Sequence, residues 1–257
     1  MRYLHCFVLL LLRASFLPGQ CPITVNAGDD AWLCAPPSPV QLNASIDGDY
    51  ISFQWSPTSG MTGSNTLSPT VNVSQTTNYV LTARAVDPNN NLIANGDFEG
   101  GNTGFTSDYA YNPGFTGPPW GSYEITSTPA IFPDCPDHTS GTGAYMVIDG
   151  ADVPNLLVWC QTVAVTPNTQ YELSAWGVSF TNSGPFASLE FTINGAVVGT
   201  PLSVTGPQCT WRPFSVLWNS GNNTSATICI EDLTVTGANN DFALDDIVFS
   251  PVCQVKD

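Results

Sequence analysis

In the stretch CPDHTSGTGAYMVIDG, Cys135 to Gly150, an Asp-His pair precedes a Gly-rich turn and a strand-like run that ends in a further acid, Asp149. Asp beside His serves acid-base relays, metal cages and polar turns alike. A Ser-His-Asp relay would have to be built on His138, because the only other His, His5, lies in the N-terminal leader, and the chain has no G-x-S-x-G elbow. Asp137 therefore reads as a metal-binding or hydrogen-bonding residue rather than a base, and His138 as the residue that orients the turn. Two other acidic spots pose the same question, Asp97 and Glu99 in NGDFEGG and Asp245-Asp246 in FALDDIVF. Adjacent carboxylates inside a strand of Phe242, Leu244, Ile247 and Phe249 repel each other and lose solvation unless something neutralises them. A glycosidase needs two carboxylates facing across a cleft, roughly 5 to 9.5 Å apart. Glu172 and Glu190 instead alternate with apolar residues on short strands, and Glu124 stands alone. With no nucleotide-binding loop and no CxxC motif either, the chain is expected not to be an enzyme.

The aromatic residues suggest binding. Sugars lay their apolar faces on Trp or Tyr while neighbouring polar groups bond the hydroxyls. In YELSAWGVSF the alternation puts Glu172, Ser174 and Trp176 on one strand face, opposite Tyr171, Leu173 and Ala175. Trp159 with Gln161, and Trp120 with Tyr123 in a Pro-Gly-rich loop, are the other candidate ligand contacts.

The opening MRYLHCFVLLLLRASFLPGQ has a basic residue before a short apolar run, too short to span a bilayer. Residues 1–20 are expected to be a secretory signal, cleaved near Gly19 to Cys21. Beyond it stand three basic residues, Arg84, Arg212 and Lys256, against 21 acidic ones, a net charge of −18. Nucleic acid and anionic lipid are poor partners for such a chain, and clustered carboxylates outside a cell would look to Ca²⁺ for their counter-charge. Seven Cys remain beyond the leader, at positions 21, 34, 135, 160, 209, 229 and 253. In an exported chain they read as disulfide partners, with one left over. The expected pairs are Cys21 with Cys34 and Cys209 with Cys229.

The elements that must position these residues are strands. Short alternating runs recur, punctuated by 22 Gly and 21 Pro, and no helical periodicity is sustained, so the fold class is all-β. DPNNN, Asp87 to Asn91, divides two differently built halves. The first, residues 21–87, holds ISFQWSP and NYVLTARAV, with Trp55 and Tyr79 as core residues. Through FQWSPTSGMTGSNTLSPTVNVSQTTNYVLTA it resembles the PKD-like and immunoglobulin-like modules of bacterial surface proteins. The second half, residues 91–253, has the strand count of a jelly roll. In it GDFE, then DHTSGTGAYMVID, then NNDFALDDI before Cys253, resemble in order the MAM domains of adhesive proteins. The opening and closing motifs are also similar to family 4/9-type carbohydrate-binding modules, which share a galactose-binding-like jelly roll.

That resemblance implies a Ca²⁺ tying the opening motif to the last strand, with Asp97, Glu99, Asp137 and Asp245 or Asp246 as ligands. It also implies non-catalytic binding or adhesion outside the cell, secreted or at the cell surface, with a glycan or a matrix component as partner and no membrane insertion. The alternatives are a purely structural spacer in a larger surface protein and the accessory part of a secreted hydrolase. The closing CQVKD reads as the start of a further module.

Overall fold

In this computed structural model, residues 7–8, 21–33, 39–116, 120–236 and 239–257 are described. They form an all-β protein with two compact units, Met1–Asn89 with Val252–Asp257, and Asn90–Pro251.

The first unit contains β1 (Thr24–Asn26), β2 (Pro39–Gln41), β3 (Ser45–Asp47), β4 (Ser52–Ser56), β5 (Met61–Thr62), β6 (Thr70–Asn72) and β7 (Val80–Val86). All pair antiparallel: β1 with β3, β6 with both β2 and β5, and β7 with β4. Along β7 Leu81, Ala83 and Ala85 are buried and their neighbours are not, the alternation of a strand with one face in a core. Trp55 and Tyr79 are buried in that core with Ile23, Val71 and Leu81, and the Trp55 indole N–H donates to the Thr66 carbonyl at 3.1 Å.

The C-terminal residues complete this unit. Val252 to Lys256 pair with β7 from Val86 to Thr82, and the Asp257 carboxylate accepts from the Ala27 N–H at 2.8 Å. Residues 252 and 253, assigned from sequence to the second half, therefore belong to the first unit. The same pairing overturns an expected disulfide. Cys253 lies 5.6 Å (Cα–Cα) from Cys21 and is bonded to it across 232 residues, whereas Cys34 lies outside the described residues.

The second unit is a two-sheet sandwich. Its strands are β8 (Ala110–Tyr111), β9 (Ser122–Thr126), β10 (Tyr145–Asp149), β11 (Leu157–Ala164), β12 (Gln170–Ser179), β13 (Ser188–Ile193), β14 (Ala196–Val197), β15 (Leu202–Ser203), β16 (Arg212–Asn219), β17 (Ser225–Asp232) and β18 (Phe242–Lys256). One sheet runs β8-β9-β10-β18-β12-β16, antiparallel except for β8 with β9. The other runs β11-β17-β13-β14, with β15 also on β13. From β11 to β13 and from β16 to β18 the chain alternates between the sheets, as in a jelly roll. Leu173, Phe191, Ile228, Leu244 and Phe249 fill the space between them.

Every residue of β10 is buried, because both of its faces are covered. Met146 and Ile148 enter the sandwich core, while Tyr145 and Val147 pack outward under Phe115, which precedes β9, and under Phe132 and Cys135 of the long segment between β9 and β10. Cys135 is bonded to Cys209, which fastens that segment to the loop before β16. Cys229 of β17 sits directly opposite Cys160 of β11 and is bonded to it. The expected Cys209–Cys229 pair does not form, since the register gives Cys229 a nearer partner on the neighbouring strand.

Candidate functional site

Glu99, Asp137 and the Asp245-Asp246 pair all bond the segment 137–144 over the outer face of the first sheet, and a β-bulge turns Asp245 and Asp246 toward it. Inward residues of β18 are Phe242, Leu244, Ile247 and Phe249, so one extra residue lies between Leu244 and Ile247. The register confirms it: Ser174 faces Val248 while Trp176 faces Asp245. Asp246 takes up the extra length at φ 48°, and both adjacent carboxylates turn to the same outer side. Ile247 then donates its N–H to the Gly96 carbonyl at 2.9 Å, so close that a Cβ at position 96 would lie 2.0 Å from the Ile247 carbonyl oxygen. Glycine is required there.

Asp245 and Asp246 both bond the loop that contains His138. Asp245 Oδ2 accepts the His138 backbone N–H at 2.9 Å. Asp246 Oδ2 lies 2.6 Å from His138 Nδ1, and its Oδ1 accepts from the Thr139 hydroxyl at 2.7 Å. Asp137 folds its own loop, accepting the N–H groups of Ser140 at 2.8 Å and Gly143 at 2.7 Å. Glu99 Oε1 accepts the next N–H, from Ala144, at 2.9 Å. Burial alone would raise the Asp137 carboxyl, but the Ser140 and Gly143 N–H groups outweigh it and hold the group below its usual range. Asp245 goes the other way, pushed up to about 7 by burial first and by the Asp246 charge second.

Among the described residues no group of three or more His, Cys, Asp or Glu is placed to hold a metal ion. Asp97 is exposed and is bonded locally, to the Glu99 N–H at 3.4 Å. Glu99, Asp137, Asp245 and Asp246 are spread along residues 137–144 and each takes peptide, hydroxyl or imidazole hydrogens.

The raised Asp245 carboxyl has a consequence for stability. Its folded value of about 7 exceeds the ordinary 3.8, so the folded state holds the proton more tightly than the unfolded chain. The stability this confers is complete below about pH 4 and is lost as pH rises through 7. Asp149, at about 7, and Asp232, at about 6, contribute with the same sign. In EDTA the melting temperature should be higher at pH 5 than at pH 8, and Asp245→Asn should flatten the difference; scanning calorimetry at the two pH values checks it.

Beside this network stands Trp176. Its ring stacks on the His138 imidazole, centroids 3.8 Å apart and planes 20° from parallel, and Trp211 meets that imidazole edge-on at 5.9 Å. The Trp211 indole N–H is donated to the Pro136 carbonyl at 3.0 Å. Two rows further along the same outer face of β12 lies Glu172, which accepts from the Ser215 hydroxyl of β16. Neither Ser215 nor Thr139 was singled out by sequence, because their partners are 43 and 107 residues away. The break in alternation at FALDDIVF was the readable signal that the two carboxylates share a face.

The other aromatic candidates divide. Trp120 is 53% exposed, but Tyr123 is buried, its hydroxyl donating to Asn102 Oδ1 at 2.8 Å. Trp159 is 0% exposed. It faces the sandwich core and stacks on Phe105, so it is not a surface contact. Gln161 shares that inward side at the sheet edge, where its amide bonds the Ala94 N–H and the Ala94 and Gly104 carbonyls. Its polar group completes the backbone pairing of the opening motif rather than awaiting a ligand. Of the remaining acids, Glu190 pairs with Glu231 of the neighbouring strand in the second sheet, and Glu124 is buried and accepts the Gly114 N–H at 2.7 Å.

No family model and no curated protein matches the chain. Solved structures do. The chain is similar to a family 16 carbohydrate-binding module at 21% identity, covering 62% of this chain and 99% of that one, TM-score 0.38. The CBM22-1 xylan-binding domain of Paenibacillus barcinonensis Xyn10C gives 18% identity over 60% and 90%, TM-score 0.40. The C-terminal domain of EclA, a sugar-binding protein, gives 13% identity and TM-score 0.34; the chain spans 66% of its length with 37% of its own. These are distant likenesses.

Proposed function

We propose that the second unit is a non-catalytic carbohydrate-binding module of an exported protein, with the first unit, PKD- or immunoglobulin-like, as its spacer. The observation that carries this reading is Trp176. A half-buried indole, stacked on the His138 imidazole, lies on the outer sheet face near two sets of hydrogen-bonding groups, Asp246 with Thr139 and Glu172 with Ser215. A pyranose stacked on the indole would place its hydroxyls beside those carboxylates, which accept O–H hydrogens. Export accords with three disulfides among the described residues; no helix among them is long and apolar enough to cross a membrane.

A glycan array probed with the whole chain tests it. The wild type should bind at least one class of glycan. Trp176→Ala should weaken that binding at least tenfold, the loss of about 1.4 kcal/mol or more. Glu172→Gln should weaken it less, because the amide still hydrogen-bonds. No binding anywhere on the array would count against the reading.

A further inference from the structure

The two carboxylates of the bulge converge on one side chain, His138, and leave one of its atoms free. Asp245 Oδ2 accepts the His138 backbone N–H at 2.9 Å and Asp246 Oδ2 lies 2.6 Å from Nδ1, so main chain and ring are both fixed from β18. The Thr139 hydroxyl, donated to the other Asp246 oxygen, steadies that carboxylate. A carboxylate accepts and does not donate, so in the neutral imidazole the hydrogen stands on Nδ1 and Nε2 keeps its lone pair. Nε2 has no hydrogen-bond partner among the described residues and is not buried; the His138 side chain is 27% exposed. The ring is parallel to the Trp176 indole to within 20°, at 3.8 Å between centroids, so this lone pair stands beside the surface on which a sugar would stack.

The groups around it are acceptors too. Asp246 and Glu172 already hold hydroxyl hydrogens from Thr139 and Ser215. Arg212, the one basic residue of the second unit, donates its guanidinium to the Thr205 and Gly206 carbonyls, at 3.4 and 3.1 Å. A ligand at this face must bring hydrogens, and a negative charge on it would meet carboxylates with no cation to answer it. We infer that His138 is a specificity-determining residue of the Trp176 site: its Nε2 accepts a hydroxyl hydrogen from the bound sugar, Asp246 is the positioning residue that sets the tautomer, and uncharged glycans are taken in preference to those carrying carboxylate or sulfate. This rests on the sugar-binding reading of that face.

Two measurements on the whole chain test it. His138 is the only His beyond residue 20, so nitrogen NMR of its ring is unambiguous. In the neutral ring Nδ1 should appear protonated and Nε2 unprotonated, and the oligosaccharide with the strongest array signal should move Nε2 while leaving Nδ1 nearly in place. Asp246→Asn, which suits the φ of 48° at that position, lets either nitrogen carry the hydrogen and should draw the two signals together. In titration calorimetry His138→Phe, which keeps a flat ring beside Trp176 but removes the acceptor, should bind about tenfold more weakly, the loss of one hydrogen bond to the ligand. A wild type that binds no glycan takes the inference down with the reading it rests on. Binding that is lost in Trp176→Ala yet equal or tighter in His138→Phe leaves the reading standing and overturns the inference alone. So does a neutral ring protonated at Nε2, an Nε2 signal indifferent to the sugar, or an acidic glycan as the strongest ligand.

Discussion

Replacing Cys21 and Cys253 together by Ser is expected to cost about 5 kcal/mol, the largest effect of any change considered for this chain. The bridge closes a loop of 232 residues, and the entropy it removes from the unfolded chain grows with the logarithm of loop length. Its loss also frees the C-terminal strand, whose pairing with β7 and whose Asp257 bond to Ala27 hold the last element of the first unit. Hydrogen exchange should therefore show protection lost in Val80–Val86 and in residues 252–256 before it is lost in β12. Equal loss in both units would contradict this placement, and so would non-reducing peptide maps that fail to link Cys21 with Cys253.

Trp159→Ala comes second, with an expected cost of about 3–5 kcal/mol for emptying a large core site. At roughly 2–4 °C per kcal/mol that is a fall in melting temperature of about 6–20 °C. Trp159→Phe should cost much less than its lost volume suggests. The indole N–H has no hydrogen-bond partner among the described residues, so the smaller ring removes an unsatisfied donor along with the atoms. Trp176→Ala, on the outer face, should lower the melting temperature by only a few degrees. If the two alanine variants melt alike, the assignment of inner and outer faces is wrong.

Much of the scaffold could be read from spacing. Alternation located β7, β12 and β18, and it marked Trp55 and Tyr79 as core because each stands among apolar residues of period two. The same rule failed at Trp159. Both of its neighbours, Val158 and Cys160, are also buried, so the strand has no polar face to show which side is outward. Gln161 misled for a related reason: it is polar but turned inward, to satisfy backbone groups nearly sixty residues or more away. Disulfide pairing was out of reach because it depends on where the chain returns. Nothing local in CQVKD tells that it folds back beside Cys21. The acids were recognised as a group, but their hydrogen-bond partners are peptide N–H groups, hydroxyls and one imidazole, which a charge count cannot see.

The central claim is that the face around Trp176 binds sugar. Its most direct test is titration calorimetry of the wild type and of Trp176→Ala with the oligosaccharide that gives the strongest array signal. Saturable binding by the wild type is predicted, weakened at least tenfold in a variant whose melting temperature stays within a few degrees of the wild type. Equal affinity for the two proteins, or no oligosaccharide that binds at all, would contradict it.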